Sequence, residues 1–235
     1  MHTPLSILTN DDGIDAPGLA ALRAAVDGPV LIVAPAAPMS GCSHTVQTER
    51  AIRLERRGPD AWAVHSAPAD CVRAAVLAIL PELGIPATPE RVRVLSGINA
   101  GGNLGADIYV SGTVAAAREA AFFDLPAVAL SNYRIGSIDW PRATRWARRV
   151  LAALAERPHE PGRFWNANFP ALAPEAPEPA VVCCPCSTDP LPVKYARTVD
   201  GLQYVRGTYH ERRRTPGTDV DVCFGGQIAL TQMAL

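Results

Sequence analysis

The chain has 235 residues, with 22 basic and 23 acidic side chains and a formal net charge of −1. That length suits one large α/β domain, or a domain with an extension, and the near-neutral balance gives no pull toward nucleic acid or an anionic membrane. Aromatic residues make up only 6%, which argues against a base-stacking platform, and no apolar run approaches the roughly 20 residues that cross a bilayer.

Met-His-Thr-Pro reads straight into a strand with no secretory leader, so the expected location is cytoplasmic and the cysteines are expected as reduced thiols. Cys183, Cys184 and Cys186 cluster, but no second ligand pair lies nearby. They read as the end of an apolar strand over 180–184 rather than a zinc site.

Residues 5–8, Leu-Ser-Ile-Leu, form an apolar run that predicts a short buried strand. It stops at the turn formers Asn10, Asp11, Asp12 and Gly13. Two adjacent carboxylates thus fall at the carboxyl end of the first strand, the edge where open α/β sheets bind ligands. Oxygen donors of this kind suit Mg²⁺, Mn²⁺ or Ca²⁺. The same residues equally serve as helix caps.

Residues 17–26 predict a helix, with Pro17 in the first turn and Gly28 at the stop. Residues 30–34 are a second buried strand, completing a right-handed βαβ unit. The loop 35–45 leaves the same sheet edge and carries Ser40, Gly41 and Cys42, whose hydroxyl and backbone suit a metal or a phosphate. Residues 46–66 predict a hairpin turning at Gly58-Pro59-Asp60. A helix follows from Pro68 to Leu80, stopping at Pro81, with Asp70 complementing the dipole in its first turn.

Residues 92–95 are a third core strand, followed by the glycine-rich loop 96–105 with Asn99 and Asn103. This loop matches neither G-x-G-x-x-G after a first strand nor a Walker A sequence. Its glycines permit close approach to a ligand, and an asparagine carbonyl is an acceptable hard-metal ligand. Ser111-Gly112-Thr113 opens a helix that runs to about residue 121. That helix start is suited to phosphate, and equally reads as a plain N-cap.

Residues 127–130 are a fourth core strand. Residues 141–154 predict an amphipathic helix with Arg142, Arg145, Arg148 and Arg149 on its wet face, and 165–170 another short strand. Ala-Pro-Glu-Ala-Pro-Glu-Pro is a stiff connector. Beyond it, residues 193–205 predict a hairpin turning at Asp200-Gly201. Arg212, Arg213 and Arg214 read as a solvated loop, and Thr218-Asp219 leads into a last strand over 227–231. The expected architecture is α/β: one domain over 1–235, with a mostly parallel, three-layer core to about residue 170 and a C-terminal β-hairpin arm. A long β arm on such a core predicts a homo-oligomer.

Asp11-Asp12, the Ser40 loop, the Asn99 loop and Ser111-Gly112-Thr113 all fall at the carboxyl ends of parallel strands. Two carboxylates, a hydroxyl and an amide oxygen make a reasonable octahedral Mg²⁺ or Mn²⁺ site, and a helix N-terminus beside them holds phosphate. Together they predict metal-assisted hydrolysis of a phosphate ester.

Thr9-Asn10-Asp11-Asp12-Gly13, Val33-Ala34-Pro35 with Ser40-Gly41, Ala67-Pro68-Ala69-Asp70-Cys71, Ser96-Gly97-Ile98-Asn99 and Ser111-Gly112-Thr113-Val114 occur in this order. The pattern resembles the SurE family of stationary-phase survival proteins, which act as 5′/3′-nucleotidases. Asn166-Ala167-Asn168-Phe169-Pro170 extends the match. The resemblance implies a Rossmann-like core, a β arm exchanged between the subunits of a homodimer or homotetramer, and one divalent metal held by Asp11, Asp12, Ser40 and Asn99. It also implies nucleoside monophosphates as substrates. The chain departs from the family pattern at Ala36, Ala37 and Met39, at Ala67 before Pro68, and at Ala100 in place of a basic residue.

The expected mechanism is in-line attack on phosphorus by a metal-activated water. Asp11, Asp12 and Asn99 form the catalytic set, and Asn10, Gly41, Asn103, Ser111, Gly112 and Thr113 contact phosphate or substrate. An aspartyl-phosphate on Asp11 is the mechanistic alternative. His44 and His65 stay outside the set as structural. Rival readings are a phosphate- or nucleotide-binding switch without turnover and a dinucleotide-binding dehydrogenase. The first turn lacks the dehydrogenase fingerprint, and no lysine loop accompanies the carboxylates as a receiver-like switch requires.

Overall fold

A computed structural model describes residues 3–205 and 209–235, so the first two residues of the expected entry into the opening strand lie outside the described part. A nine-stranded sheet runs through the molecule in the order β3-β4-β2-β1-β5-β6-β7-β11-β8. Strand β1 (Leu5–Thr9) lies inside it, paired in parallel with β2 (Val30–Pro35) on one side and β5 (Val92–Asn99) on the other. Beyond β2 lie β4 (Ala61–Val64), parallel, and β3 (Leu54–Gly58), antiparallel at the edge. Beyond β5 lie β6 (Ala127–Asn132) and β7 (Arg163–Phe169), both parallel. The chain therefore winds outward from β1 in both directions. The crevice where the winding reverses lies between β1 and β5, the point at which doubly wound sheets place ligands.

Alternate residues of the strands feed two separate cores. Ile7, Val33, Val94 and Ala129 pack on one face against α2 (Pro68–Ala74) and α4 (Gly112–Phe122). Leu8, Ala34, Leu95 and Leu130 pack on the other against α1 (Pro17–Ala25) and α5 (Trp140–Ala155). The expected three-layer α/β architecture and its parallel core are therefore present.

Several local expectations are corrected. The helix from Pro68 does not stop at Pro81: it widens into a π-helical turn, Ala75–Ile79, where the Leu80 N–H reaches back to the Ala75 carbonyl, and closes with α3 (Leu80–Glu82). Pro81 has no N–H to give to the preceding turn of this continuous helix, and the π-helical widening just before it is where the ladder absorbs the proline. Strand β5 does not end at Leu95 but continues to Asn99, with a register shift against β6 between Ser96 and Asn99. Glycine permits this at position 97, where φ is +141° and a Cβ would sit 2.3 Å from the Leu130 carbonyl oxygen.

Arg142 is not on the wet face of α5. It is buried, donating to the carbonyls of Ala173 (2.7 Å) and Ala176 (2.8 Å) while its guanidinium lies over the Trp146 ring. The proline-rich connector folds back on α5, and its carbonyls need donors there. Asp70 does more than complement a dipole: buried, it accepts the Gln47 N–H (2.8 Å) and the Ser66 hydroxyl. Between Thr218 and the last strand stands a short helix missed from sequence, α6 (Asp219–Phe224). Strand β11 (Ile228–Ala234) is antiparallel to β7 and parallel to β8 (Val181–Cys183). The expected hairpin, β9 (Tyr195–Thr198) and β10 (Gly201–Tyr204), forms its own two-stranded sheet with every residue exposed. Among the described residues no helix is long and apolar enough to cross a membrane. All six cysteines are free thiols.

Candidate functional site

The turn after β1 is built by Asn10. Its Nδ2 donates to the Gly13 carbonyl (2.9 Å) and its Oδ1 accepts the Gly13 N–H (3.2 Å), closing an Asx-type loop in which Gly13 has φ +100°. Both ends of the Asn10 amide therefore shape the turn that presents Asp11 and Asp12, rather than reaching outward.

Asp11 is only 4% exposed. The Thr113 hydroxyl donates to its Oδ1, and its backbone carbonyl accepts the Met39 N–H at 2.7 Å. Burial pushes the Asp11 carboxyl up from 3.8 to about 6; the Thr113 bond opposes this and the neighbouring Asp12 charge adds to it. Asp12 is half-buried and its Oδ2 accepts the Ala100 N–H at 3.0 Å, which ties the β1 turn to the end of β5 across the crevice. Asn99, the last residue of β5, donates from Nδ2 to the Gly101 carbonyl (2.8 Å), so its Oδ1 is the end of the amide left to accept. Among the described residues neither Asp11 nor Asp12 forms an ion pair with a lysine, arginine or histidine.

Helix α4 points its N-terminus at this turn. Ser111 Oγ accepts the Val114 N–H (3.1 Å) and caps the helix, as its plain N-cap reading anticipated. The closeness of the approach is set by Gly112: a Cβ there would lie 2.9 Å from Asp11 Cβ and 2.7 Å from Cys42 Sγ. Of the three residues expected to hold phosphoryl oxygens, Ser111 caps and Thr113 bonds Asp11. With the Val114 N–H taken by Ser111, the N–H groups of Gly112 and Thr113 are the donors of that terminus that carry no hydrogen bond among the described residues.

The loop after β2 arches over the same edge. Ser40 is exposed on it, and Gly41, with φ +73°, has open space around its Cα. Cys42 packs against Gly112 beside Asp11, and burial, with the Asp11 charge second, pushes its thiol up. Asn103 stands apart from the carboxylates in a buried network. It donates its N–H to Asn168 Oδ1 (2.8 Å) and its Nδ2 to Ser131 Oγ (2.8 Å), and its carbonyl accepts from Asn166 and Asn168. These bonds fix the glycine-rich loop across β6 and β7.

Sequence reading missed the residues that brace this loop from the far side. Asp219 is buried and accepts the N–H groups of Gly105 (2.8 Å) and Ser187 (2.7 Å). Arg212, expected in a solvated run, has a side chain only 3% exposed, bonded to Asp107 at 2.7 Å. Tyr209 donates to the same carboxylate at 2.6 Å. The chain placed Thr218-Asp219 before the last strand, but nothing in the linear order pairs Asp219 with Gly105.

Fold and site together define a doubly wound α/β protein with two uncompensated carboxylates and a helix N-terminus at its switch point. A family model described as Survival protein SurE matches residues 6–189. The chain belongs to the SurE family. It is 51% identical over 230 residues to a Nostoc sp. protein named "Putative 5'-nucleotidase alr3139", covering 97% of this chain and 98% of that one. It is 35% identical to the "5'-nucleotidase SurE" of a Methylobacterium sp., covering 97% and 92%. The crystal structure of a SurE protein from Aquifex aeolicus superposes with a TM-score of 0.85 at 27% identity, covering 98% of this chain and 93% of that one.

Proposed function

We propose that the chain is a metal-dependent phosphomonoesterase that releases orthophosphate from nucleoside 5′- and 3′-monophosphates in the cytoplasm. The observation that carries the reading is the Asp11–Asp12 pair, which forms no ion pair with a cationic side chain among the described residues, with the N-terminus of α4 packed onto Asp11. The names of the relatives at 51% and 35% identity support the same activity.

The donor set fits a hard divalent ion, Mg²⁺ or Mn²⁺. Asp11, Asp12, the Asn99 amide oxygen and the Ser40 hydroxyl offer oxygen only, and among the described residues no group of three His, Cys, Asp or Glu side chains competes as a metal cluster. Bound there, such an ion supplies Lewis acidity and lowers the pKa of a water. Asp11 and Asp12 compensate its charge and fix its place, with Asp12 held by the Ala100 N–H and Asp11 by Thr113. The free N–H groups at the start of α4, with Gly41 of the Ser40 loop, receive phosphoryl oxygens as charge builds on them. Asn10 and Asn103 act one step back, holding the turn and the glycine-rich loop.

The exposed hairpin β9–β10 presents Tyr195, Leu202 and Tyr204 to solvent. In our reading it joins copies of the chain into a homodimer or homotetramer.

Phosphate release from a panel of nucleoside monophosphates tests the activity, first on metal-stripped protein and then with Mg²⁺ or Mn²⁺ restored. Turnover that returns with metal and is lost in Asp12→Ala supports the reading. No release with any metal overturns it in favour of a binding protein without turnover.

A further inference from the structure

One buried carboxylate at the edge of the site takes no part in that account. Glu119 lies on α4 with its side chain 2% exposed, and it is shared by two other elements. Arg73 of α2 donates from Nε to its Oε1 at 2.7 Å, and His44 of the Ser40 loop meets its Oε2 at 2.7 Å. Arg118 Nη1 lies 3.3 Å from His44 Nδ1. A guanidinium only donates, so Nδ1 is the acceptor there and the proton sits on Nε2, aimed at Glu119. The ring is further packed against Phe122, with centroids 5.8 Å apart. Burial pushes the Glu119 carboxyl up, but the bonds from His44 and Arg73 outweigh it and hold the group below its ordinary range.

The segment 39–44 is thereby fastened at both ends. Met39 donates its N–H to the Asp11 carbonyl (2.7 Å). At the other end Ser43 donates its N–H to the Val110 carbonyl (3.1 Å) and its Oγ to the Tyr109 carbonyl (2.7 Å). His44 then supplies the side-chain anchor onto α4. Ser40, exposed and without a hydrogen bond of its own among the described side chains, lies between these fastenings.

We infer that Glu119 is a positioning residue which, by holding His44, fixes the Ser40 loop at the distance from Asp11 that the divalent ion requires. The inference rests on the metal reading of the site. Groups that orient ligands without touching the ion typically change metal affinity by ten- to a hundred-fold when removed.

The test is Mn²⁺ binding by titration calorimetry on metal-stripped protein, beside thermal unfolding, for wild type, His44→Ala, His44→Gln and Glu119→Gln. We expect Mn²⁺ to bind His44→Ala about ten-fold more weakly. His44→Gln, whose amide N–H replaces Nε2–H, should recover most of that loss, and Glu119→Gln, which leaves one acceptor for the His44 and Arg73 donors, should weaken binding and also lower the unfolding temperature. His44→Ala or Glu119→Gln binding Mn²⁺ as wild type does overturns the inference while leaving the metal reading intact. Equal weakening in His44→Ala and His44→Gln also overturns it. Wild type that binds no Mn²⁺ overturns both.

Discussion

The Thr113 hydroxyl donates a hydrogen bond to the Asp11 carboxylate, so the first turn of α4 is bonded to the turn that ends β1. That bond answers one lone pair of a carboxylate almost fully removed from water. It does not repay the cost of ionising it, because the Asp11 carboxyl still titrates at about 6.

The metal-free protein should therefore carry a pH signature. A carboxyl whose pKa rises from 3.8 in the unfolded chain to about 6 in the fold binds its proton more tightly when folded. Stability from this group is present below about pH 4, falls as pH rises to about 6, and is flat above. The gap corresponds to about 3 kcal/mol. Asp11→Asn should remove the slope and raise metal-free stability at pH 7.5 by up to about 3 kcal/mol, while phosphate release is lost. Urea unfolding in chelator reads both, and a variant less stable than wild type at pH 7.5 refutes the account.

Gly112→Ala places a methyl 2.7 Å from Cys42 Sγ and 2.9 Å from Asp11 Cβ. One neighbour is the backbone-proximal carbon of Asp11, which has nowhere to go, so α4 must retreat. Overpacking of this kind costs about 1–3 kcal/mol, and a helix start displaced from the reacting group costs roughly a hundred-fold in rate. Steady-state phosphate release with melting temperatures checks the prediction; near-wild-type turnover contradicts it.

Two neighbouring arginines should behave oppositely. Arg212→Ala removes the cation from Asp107, whose side chain is 14% exposed and keeps only the neutral donors of Tyr209 and Leu104, and also removes the guanidinium that covers Tyr209; we expect a loss of about 3 kcal/mol. Arg213 is 76% exposed and reaches Asp189 at 3.5 Å, so Arg213→Ala should cost less than about 0.5 kcal/mol. Denaturant midpoints for the pair decide it, and equal midpoints would show that Arg212 is not structural.

The hairpin prediction is read by sedimentation. Leu202→Asp with Tyr204→Asp should shift the protein to a smaller species without altering its far-ultraviolet circular dichroism. An unchanged sedimentation coefficient would remove the hairpin from the subunit contact.

The parts of the molecule legible in the sequence were those set by short-range pattern. The apolar run before Asn10-Asp11-Asp12-Gly13, and the strands over 30–35 and 127–132, announce themselves by hydrophobicity and turn chemistry. Their order places both carboxylates and Asn99 at one crevice. What stayed hidden depends on partners far along the chain. Arg142 reads as surface until the connector carbonyls at 173 and 176 fold over it. Arg212 reads as solvated until Asp107, 105 residues away, meets it. Helix α6, at six residues, is too short to show a period. Asn10 and Asn103 read from the sequence as phosphate or substrate contacts, but whether an amide faces a ligand or its own backbone is a matter of rotamer, which no spacing reveals.

The placement of β11 between β7 and β8 has a consequence for how the molecule is made. A ribosome delivers β8 before the strand it pairs with, and some forty-five residues that include the hairpin and α6 emerge before Ile228–Ala234 arrives. The sheet from β3 to β7 can assemble vectorially, but β7 must wait with an open edge and β8 with no neighbour at all. During that interval the nascent chain exposes a row of unpaired amides and carbonyls beside Phe164 and Phe169, the kind of edge on which growing chains adhere to one another. Release of the last strand is the step that closes it.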